Sequence, residues 1–382
     1  MKTKTQQLTP TSHEQTEAKA EVIKLGLDIH KNQYVVVQQI DGQAPRSPQR
    51  FKPEAFLQWV GKLRERAKSI VTCYEAGCFG YVLHRQIEAM GIRNLVVRPR
   101  NWDEYGSKVK TDGRDAGELC SHLDRYLAGN TKALSVVRVS TEEQERSRSL
   151  SRQREVLVKE CKRLQNVGVS NARYYGIELK MSWWKNCNFK KLLTELPDYL
   201  LAILKPFQSI LIAIDEQLRE VTAREERKAS RKLPVGLGAL TASVLDQEFR
   251  DYSRFTNRGE VASFTGLCPG EHSSGGTRRQ TSINKHGNPR IRHNLIETAW
   301  RLLQFQKDYK PIQYWKERMC REPFGAARKK KMIVAVARRF AIDWWRINTA
   351  QIQPEEVGLK VNYPSAYSTR ALRAGRLSKV YV

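Results

Sequence analysis

The run Val22-Ile23-Lys24-Leu25-Gly26-Leu27-Asp28-Ile29-His30 decides the fold. It is short and apolar, has the length of a buried strand, and ends in a carboxylate. Tyr34 to Ile40 (YVVVQQI) is a second β-rich run, close enough to pair with the first as a hairpin. Pro53 to Arg66 then has helical spacing, with Phe56, Trp59, Val60 and Leu63 on one face. Ser69 to Tyr74 (SIVTCY) reads as a strand with Glu75-Ala76-Gly77 at its end, Tyr81 to Met90 as a helix, Asn94 to Val97 as a strand and Asp112 to Leu127 as a helix. Strands and helices alternating in this way predict a mixed sheet with helices on both faces.

Lys110-Thr111-Asp112-Gly113-Arg114-Asp115-Ala116 puts two carboxylates three residues apart in the first turn of that last helix. Residues at this spacing share a helix face. Carboxylates held close together repel, and a divalent cation such as Mg2+ relieves the repulsion. Alone, the pair reads equally well as a solvated helix face. In a mixed sheet, however, Asp28 and Glu75 at strand ends can converge on it, because open sheets gather their sites there. Four acids at one point call for cations, and two Mg2+ ions would neutralise them and clamp a scissile phosphate.

Lys and Arg exceed Asp and Glu by 67 − 40 = 27 over 382 residues, and the pI is about 9.9. That excess is the footprint of a protein that works on a polyanion, and 14 Tyr with 8 Trp supply surfaces on which bases can stack. The seven cysteines form no C-x-x-C pair, fitting neither a zinc site nor a disulfide framework, so a reducing cytoplasm is expected. No stretch approaches the roughly 18 apolar residues of a membrane span.

The chain divides into a polar arm, 1–21, expected to be disordered; the mixed domain, 22–135; a charged helical segment, 136–229; a carboxyl-terminal domain, 230–350; and a basic tail, 351–382, with Arg370, Arg373, Arg376 and Lys379. In the helical segment Leu150, Leu157 and Leu164 recur every seven residues, which predicts a coiled-coil seam with a second helix from about Leu200 to Ala229, or a dimer interface. The stretch Lys232 to Leu240 has the form of a helix-hairpin-helix turn. There Gly236 and Gly238 would free backbone N–H groups for a phosphate, the alternative being a plain interhelical turn. Gly266 to Gly276 is expected to be a flexible loop carrying His272, Ser273 and Ser274, followed by Arg278, Arg279, Lys285, Arg290 and Arg292. A serine becomes a nucleophile where its proton is taken up and cations meet the developing charge. Leu295 to Phe305 and Lys331 to Ile347 read as helices, the latter preceded by Arg328, Lys329 and Lys330.

With these residues in order, the chain resembles the DEDD-type transposases of insertion sequences, of the IS110/IS1111 type, which are bridge-RNA-guided serine recombinases. The resemblance lies in Gly26 to Lys31, Tyr74 to Gly77 and Lys110 to Ala116, and again in Pro234 to Gly238, Phe264 to Pro269, Ser273 to Gly276 and Lys285 to Arg292. It implies a resolvase-type, RNase H-like amino-terminal domain with Asp28, Glu75, Asp112 and Asp115 as an acidic quartet holding Mg2+. It also implies a mostly helical transposase domain whose serine joins covalently to DNA, placed at Ser274 with Ser273 as its neighbour and alternative. Donor and target DNA, a non-coding bridge RNA, a dimer or tetramer, and a prokaryotic, nucleoid-associated location follow from the same resemblance. Two rivals remain on the residues alone: a metal-dependent junction-resolving nuclease using water, and a non-catalytic RNA- or DNA-binding protein.

Overall fold

A computed structural model describes residues 19–99, 111–227, 231–274, 277–321 and 325–362; of residues 272–274 and 277–280 it describes the backbone only. The chain forms two compact units, Met1–Ser140 and Thr141–Val382.

The first unit contains β1 (Ala20–Ile29), β2 (Tyr34–Ile40), β3 (Gln49–Phe51), α1 (Pro53–Leu63), β4 (Ala67–Glu75), α2 (Val82–Ala89), β5 (Arg93–Val97) and α3 (Asp112–Leu127). The five strands form one sheet in the order β3-β2-β1-β4-β5. β1 pairs antiparallel with β2, from Ile23–Ile40 to Ile29–Tyr34, and parallel with β4, from Ala20–Ala67 to Leu27–Tyr74. Successive strand residues point to opposite faces, so the apolar run of β1 is divided between two layers. Ile23, Leu25 and Leu27 join Val36, Ile70, Tyr74 and Val96 beneath α1 (Phe56, Val60, Leu63) and α2 (Leu83, Ile87). On the other face Val71, Cys73, Leu95 and Val97 pack under Leu119 and Leu123 of α3, and Val35 and Val37 meet Ala116 and Cys120. Burial of each such side chain contributes about 1.5–3 kcal/mol. Gly26 lies on this second face, where an added Cβ would stand 2.2 Å from the Ala116 carbonyl oxygen and 2.4 Å from the Cys120 nitrogen. The α3 backbone therefore rests directly on the β1 backbone, which only a residue without a side chain allows.

The second unit contains α4 (Glu142–Tyr174), α5 (Asn186–Glu195), α6 (Asp198–Arg227), β6 (Leu233–Pro234), α7 (Ala239–Phe249), α8 (Arg258–Thr265), β7 (Pro269–Ser274), β8 (Thr277–Ile283), α9 (Pro289–Phe305), α10 (Lys310–Arg321), α11 (Ala326–Asn348) and β9 (Val361–Asn362). α4 opens on a capping box between Thr141 and Gln144, which satisfies N–H groups the helix cannot pair itself. It packs along α6, but not on a seam of heptad leucines. Leu164 is buried with Cys161 and Ala172 against Leu200, Leu201, Leu204 and Leu211, whereas Leu150 and Leu157 are only half-buried. At Gly168 an added Cβ would meet the Trp183 ring at 2.2 Å, so the segment between α4 and α5 packs directly on the α4 backbone. Trp183 and Trp184 belong to this core and offer no face for a base. A second core gathers α7 to α11 around Phe249, Leu295, Leu302, Val336, Phe340 and Trp344.

Two expectations are corrected. The stretch Gly266 to Gly276 is no flexible loop: β7 and β8 pair as a hairpin, with Ser274 opposite Thr277 and Gly275-Gly276 between them outside the described residues. The chain also keeps its order past residue 350, for Ile352, Val357 and Leu359 are buried in the second core and β9 pairs with β6. The expected arm lies outside the described residues up to 18, and the expected tail from 363 onward.

Gly26→Ala forces α3 off the sheet, and overpacking of this kind costs about 1–3 kcal/mol. Urea unfolding of the variant is expected to show that loss, with no comparable loss for Gly61→Ala, where an added Cβ meets nothing within 4 Å.

Candidate metal centre

Asp28 is the penultimate residue of β1 and Glu75 the last of β4. Because Leu27 pairs with Tyr74 and both face α1 and α2, the next residues along, Asp28 and Glu75, face α3. The Gly26 contact fixes how α3 lies there, and Asp112 is its first residue. His30 follows β1 by one residue, and its N–H donates to the Gln33 carbonyl at 2.9 Å, which holds the turn.

These elements bring three side chains together. His30 Nε2 lies 3.2 Å from Asp28 Oδ2 and 3.7 Å from Asp112 Oδ1. Among the described residues, Asp28, His30 and Asp112 are the group whose potential ligand atoms all lie within 4.8 Å of one another. Burial pushes the Asp28 carboxyl up; the His30 charge and hydrogen bond draw it down, and the charges of Asp112 and Asp115 push it up again, leaving it raised overall. A carboxylate made costly by burial and by like charges is where a cation stabilises most. The residues therefore fit a divalent metal. Asp115 acts on Asp28 through its charge, and Glu75 reaches the same sheet edge, but both lie outside the three-residue group. His30 was not assigned a role from sequence. The signal available was the spacing Asp28-x-His30, which puts both side chains on one side of an extended chain.

In the second unit the expected phosphate contacts separate by environment. The Arg290 guanidinium is taken up inside the protein: Nε donates to Glu155 Oε1 (2.8 Å), Nη1 to Glu248 Oε1 (2.5 Å) and Nη2 to Ser151 Oγ (3.0 Å). Arg290 thus joins α4, α7 and α9, and a structural role replaces the expected phosphate contact. Burial pushes the Glu248 carboxyl up, yet hydrogen bonds from Asn288 and Arg290, with the charges of Arg290 and Arg152, hold it below its ordinary range. Arg292 donates from Nη1 to the Lys285 carbonyl at 3.2 Å and braces the turn in which Lys285 adopts φ +59°. The side chains of Lys285, Lys329 and Lys330 are exposed, and Lys329 Nζ stands 5.7 Å from the ring centroid of the exposed Trp300. Gly236 turns with φ +99° against the Arg301 carbonyl. Gly238 caps α7 with no side-chain hydrogen bond. Ser274, Arg278 and Arg279 have their backbones in the β7–β8 hairpin, and their side chains lie outside the described residues.

Residues 25–167 match the DEDD-type transposase model named for IS110, and residues 233–315 match the model of the Transposase IS116/IS110/IS902 family. A protein of Sinorhizobium fredii that carries a transposase name is 28% identical over 318 residues, covering 76% of this chain and 80% of the relative. The transposase for insertion sequence element IS1328 of Yersinia enterocolitica is 24% identical over 290 residues, covering 73% and 83%. That for IS1533 of Leptospira borgpetersenii is 26% identical over 301 residues, covering 73% and 84%. No helix among the described residues is long and apolar enough to cross a membrane.

Arg290→Ala removes the closer of the two ion pairs of the buried Glu248, and loss of one member of a buried pair costs about 3–5 kcal/mol. The folded Glu248 pKa lies below its ordinary value of 4.5, so its contribution to stability is complete above that value and is lost as pH falls through the folded one. Urea unfolding is expected to show Glu248→Gln less stable than wild type at pH 7, with the gap narrowing below pH 4.5.

Proposed function

We propose, from the premise that this chain is an IS110-family DEDD transposase by its family models and its relatives, that it excises and inserts its own element through serine attack on DNA at a divalent-metal centre. The observation that carries this reading is the approach of Asp28, His30 and Asp112 at the end of the sheet in the matched DEDD region. An RNase H-like reading of the first unit agrees with acids placed at the ends of neighbouring parallel strands. Mg2+ is the expected ion, held by Asp28 and Asp112 with Glu75 and Asp115 at the same edge. A bound divalent cation would polarise the scissile phosphate and offset its negative charge.

In the proposed reaction the Ser274 hydroxyl loses its proton as Oγ forms a bond to phosphorus. The bond from phosphorus to one ribose oxygen breaks, and that oxygen takes up a proton. One phosphodiester replaces another, so the link between serine and phosphate keeps the bond energy for rejoining, and the reverse attack by a DNA hydroxyl needs no other source. Arg278 and Arg279 would meet the added charge of the five-coordinate phosphorus. Lys285, Lys329, Lys330 and Arg292, with the N–H groups at Gly236 and Gly238, would hold backbone phosphates without reading sequence. Sequence would be read by base pairing to a non-coding RNA, which the excess of 27 positive charges suits. Exchange of two duplexes needs several active sites, hence a dimer or tetramer.

The test uses end-labelled element-junction DNA, the full chain with its copurified RNA, and a divalent cation, followed by denaturation. Wild type is expected to retain label on the protein. Ser274→Ala is expected to lose the adduct and strand exchange together, and Asp112→Asn to reduce both to background. Free labelled ends with no protein-linked label would instead favour hydrolysis by water.

A further inference from the structure

We infer that His30 is itself a ligand of the cation, bound through Nε2 beside Asp28 and Asp112, and that the centre consequently holds Mn2+ more tightly than Mg2+. The inference rests on the metal-centre reading above and extends it to a residue outside the acidic quartet.

The geometry comes first. A small octahedral cation holds its ligands at about 2.1 Å, so neighbouring ligand atoms stand about 3.0 Å apart. His30 Nε2 is 3.2 Å from Asp28 Oδ2 and 3.7 Å from Asp112 Oδ1, and the potential ligand atoms of all three residues lie within 4.8 Å of one another, so the nitrogen stands close enough to both carboxylates for the three to close on one ion. The imidazole is also held by its backbone. Ile29, the residue before it, pairs with Tyr34, and the His30 N–H donates to Gln33. Both strands of the turn are therefore tied on either side of the ring.

The charge balance points the same way. Two carboxylates with like charges at close range are joined by one ring nitrogen, His30 Nε2, which lies within 4 Å of both. Ligand type then decides selectivity. Carboxylates and water suit Mg2+ and Mn2+ alike, so the difference between the two ions comes from the imidazole nitrogen, a softer donor that a transition ion accepts more readily than Mg2+ does. One nitrogen among oxygens makes the centre usable by either ion, with Mn2+ ahead.

The competing role for His30 is positional: a hydrogen bond that only steadies Asp28 keeps the nitrogen out of the coordination sphere. Pulsed electron paramagnetic resonance of Mn2+ added to the full chain separates the two, because a directly bound imidazole modulates the echo through its 14N nucleus. His30 is half exposed at its side chain, so His30→Gln is expected to fold, which circular dichroism checks. Wild type is expected to show 14N modulation. His30→Gln is expected to lose it and to bind Mn2+ on the order of tenfold more weakly, with a smaller change for Mg2+ measured by competition. Mn2+ bound at the acids without 14N modulation would overturn the inference and leave the acid centre standing. No bound Mn2+ at all would overturn the inference and the metal-centre reading together.

Discussion

The contact on which the first unit depends is backbone against backbone, where α3 lies on β1 at Gly26. A helix separated from a sheet by an ordinary side-chain layer would put its first turn several ångströms further from the strand ends. With Gly26 there, the carbonyl of Ala116 and the amide of Cys120 occupy the space a Cβ would take, and Asp112, one turn before Ala116, comes down beside Asp28. Lys24, two residues before Gly26 on the same face, pairs with Asp124 further along α3 and draws that helix down at a second point. Between these two contacts the helix start has little freedom, and this is how the sheet can hold two carboxylates together against their repulsion.

The second unit solves a different problem. With so many basic residues, a helical assembly would repel itself unless some of the charge were neutralised inside. Arg290 shows how: a guanidinium has several donors in one plane, and here they engage Ser151 and Glu155 on α4 and Glu248 on α7. The buried network joins the helical hairpin of α4 and α6 to the core built from α7 to α11. The segments expected from sequence at 136–229 and 230–350 consequently fall in one compact unit. The net charge remains a sound guide to a polyanionic partner, but single basic residues divide between those that meet solvent, such as Lys285 and Lys330, and those that hold the fold.

Much of the first unit was legible in sequence because its signals are local. The β2 run Tyr34 to Ile40 and the α3 run Asp112 to Leu127 have the bounds expected, since periodicity, a strand-length apolar run and acids at a helix start act over a few residues. Asp28 and Asp112 could be paired because strand ends and helix starts meet at one edge of such a sheet. What sequence could not show depends on distant contacts. The burial of Arg290 depends on Glu155 and Glu248, far away in the chain. The burial of Gly168 depends on Trp183 folding back onto α4, which a heptad count of leucines does not register. The β7–β8 hairpin was hidden by its polar, serine-rich strands. His30 carries no local signal of its own, since a histidine after a strand has many ordinary uses.

The central claim is that a divalent cation sits between the end of β1 and the start of α3. Affinity cleavage tests it most directly: Fe2+ is exchanged into the protein, ascorbate and peroxide generate hydroxyl radicals at the bound ion, and mass spectrometry maps the cut backbone. The account requires cuts clustered around residues 28–30 and around 112, suppressed by excess Mg2+ or Mn2+ and absent in Asp28→Asn. Cuts confined to other parts of the chain, or an unchanged pattern in Asp28→Asn, would contradict it.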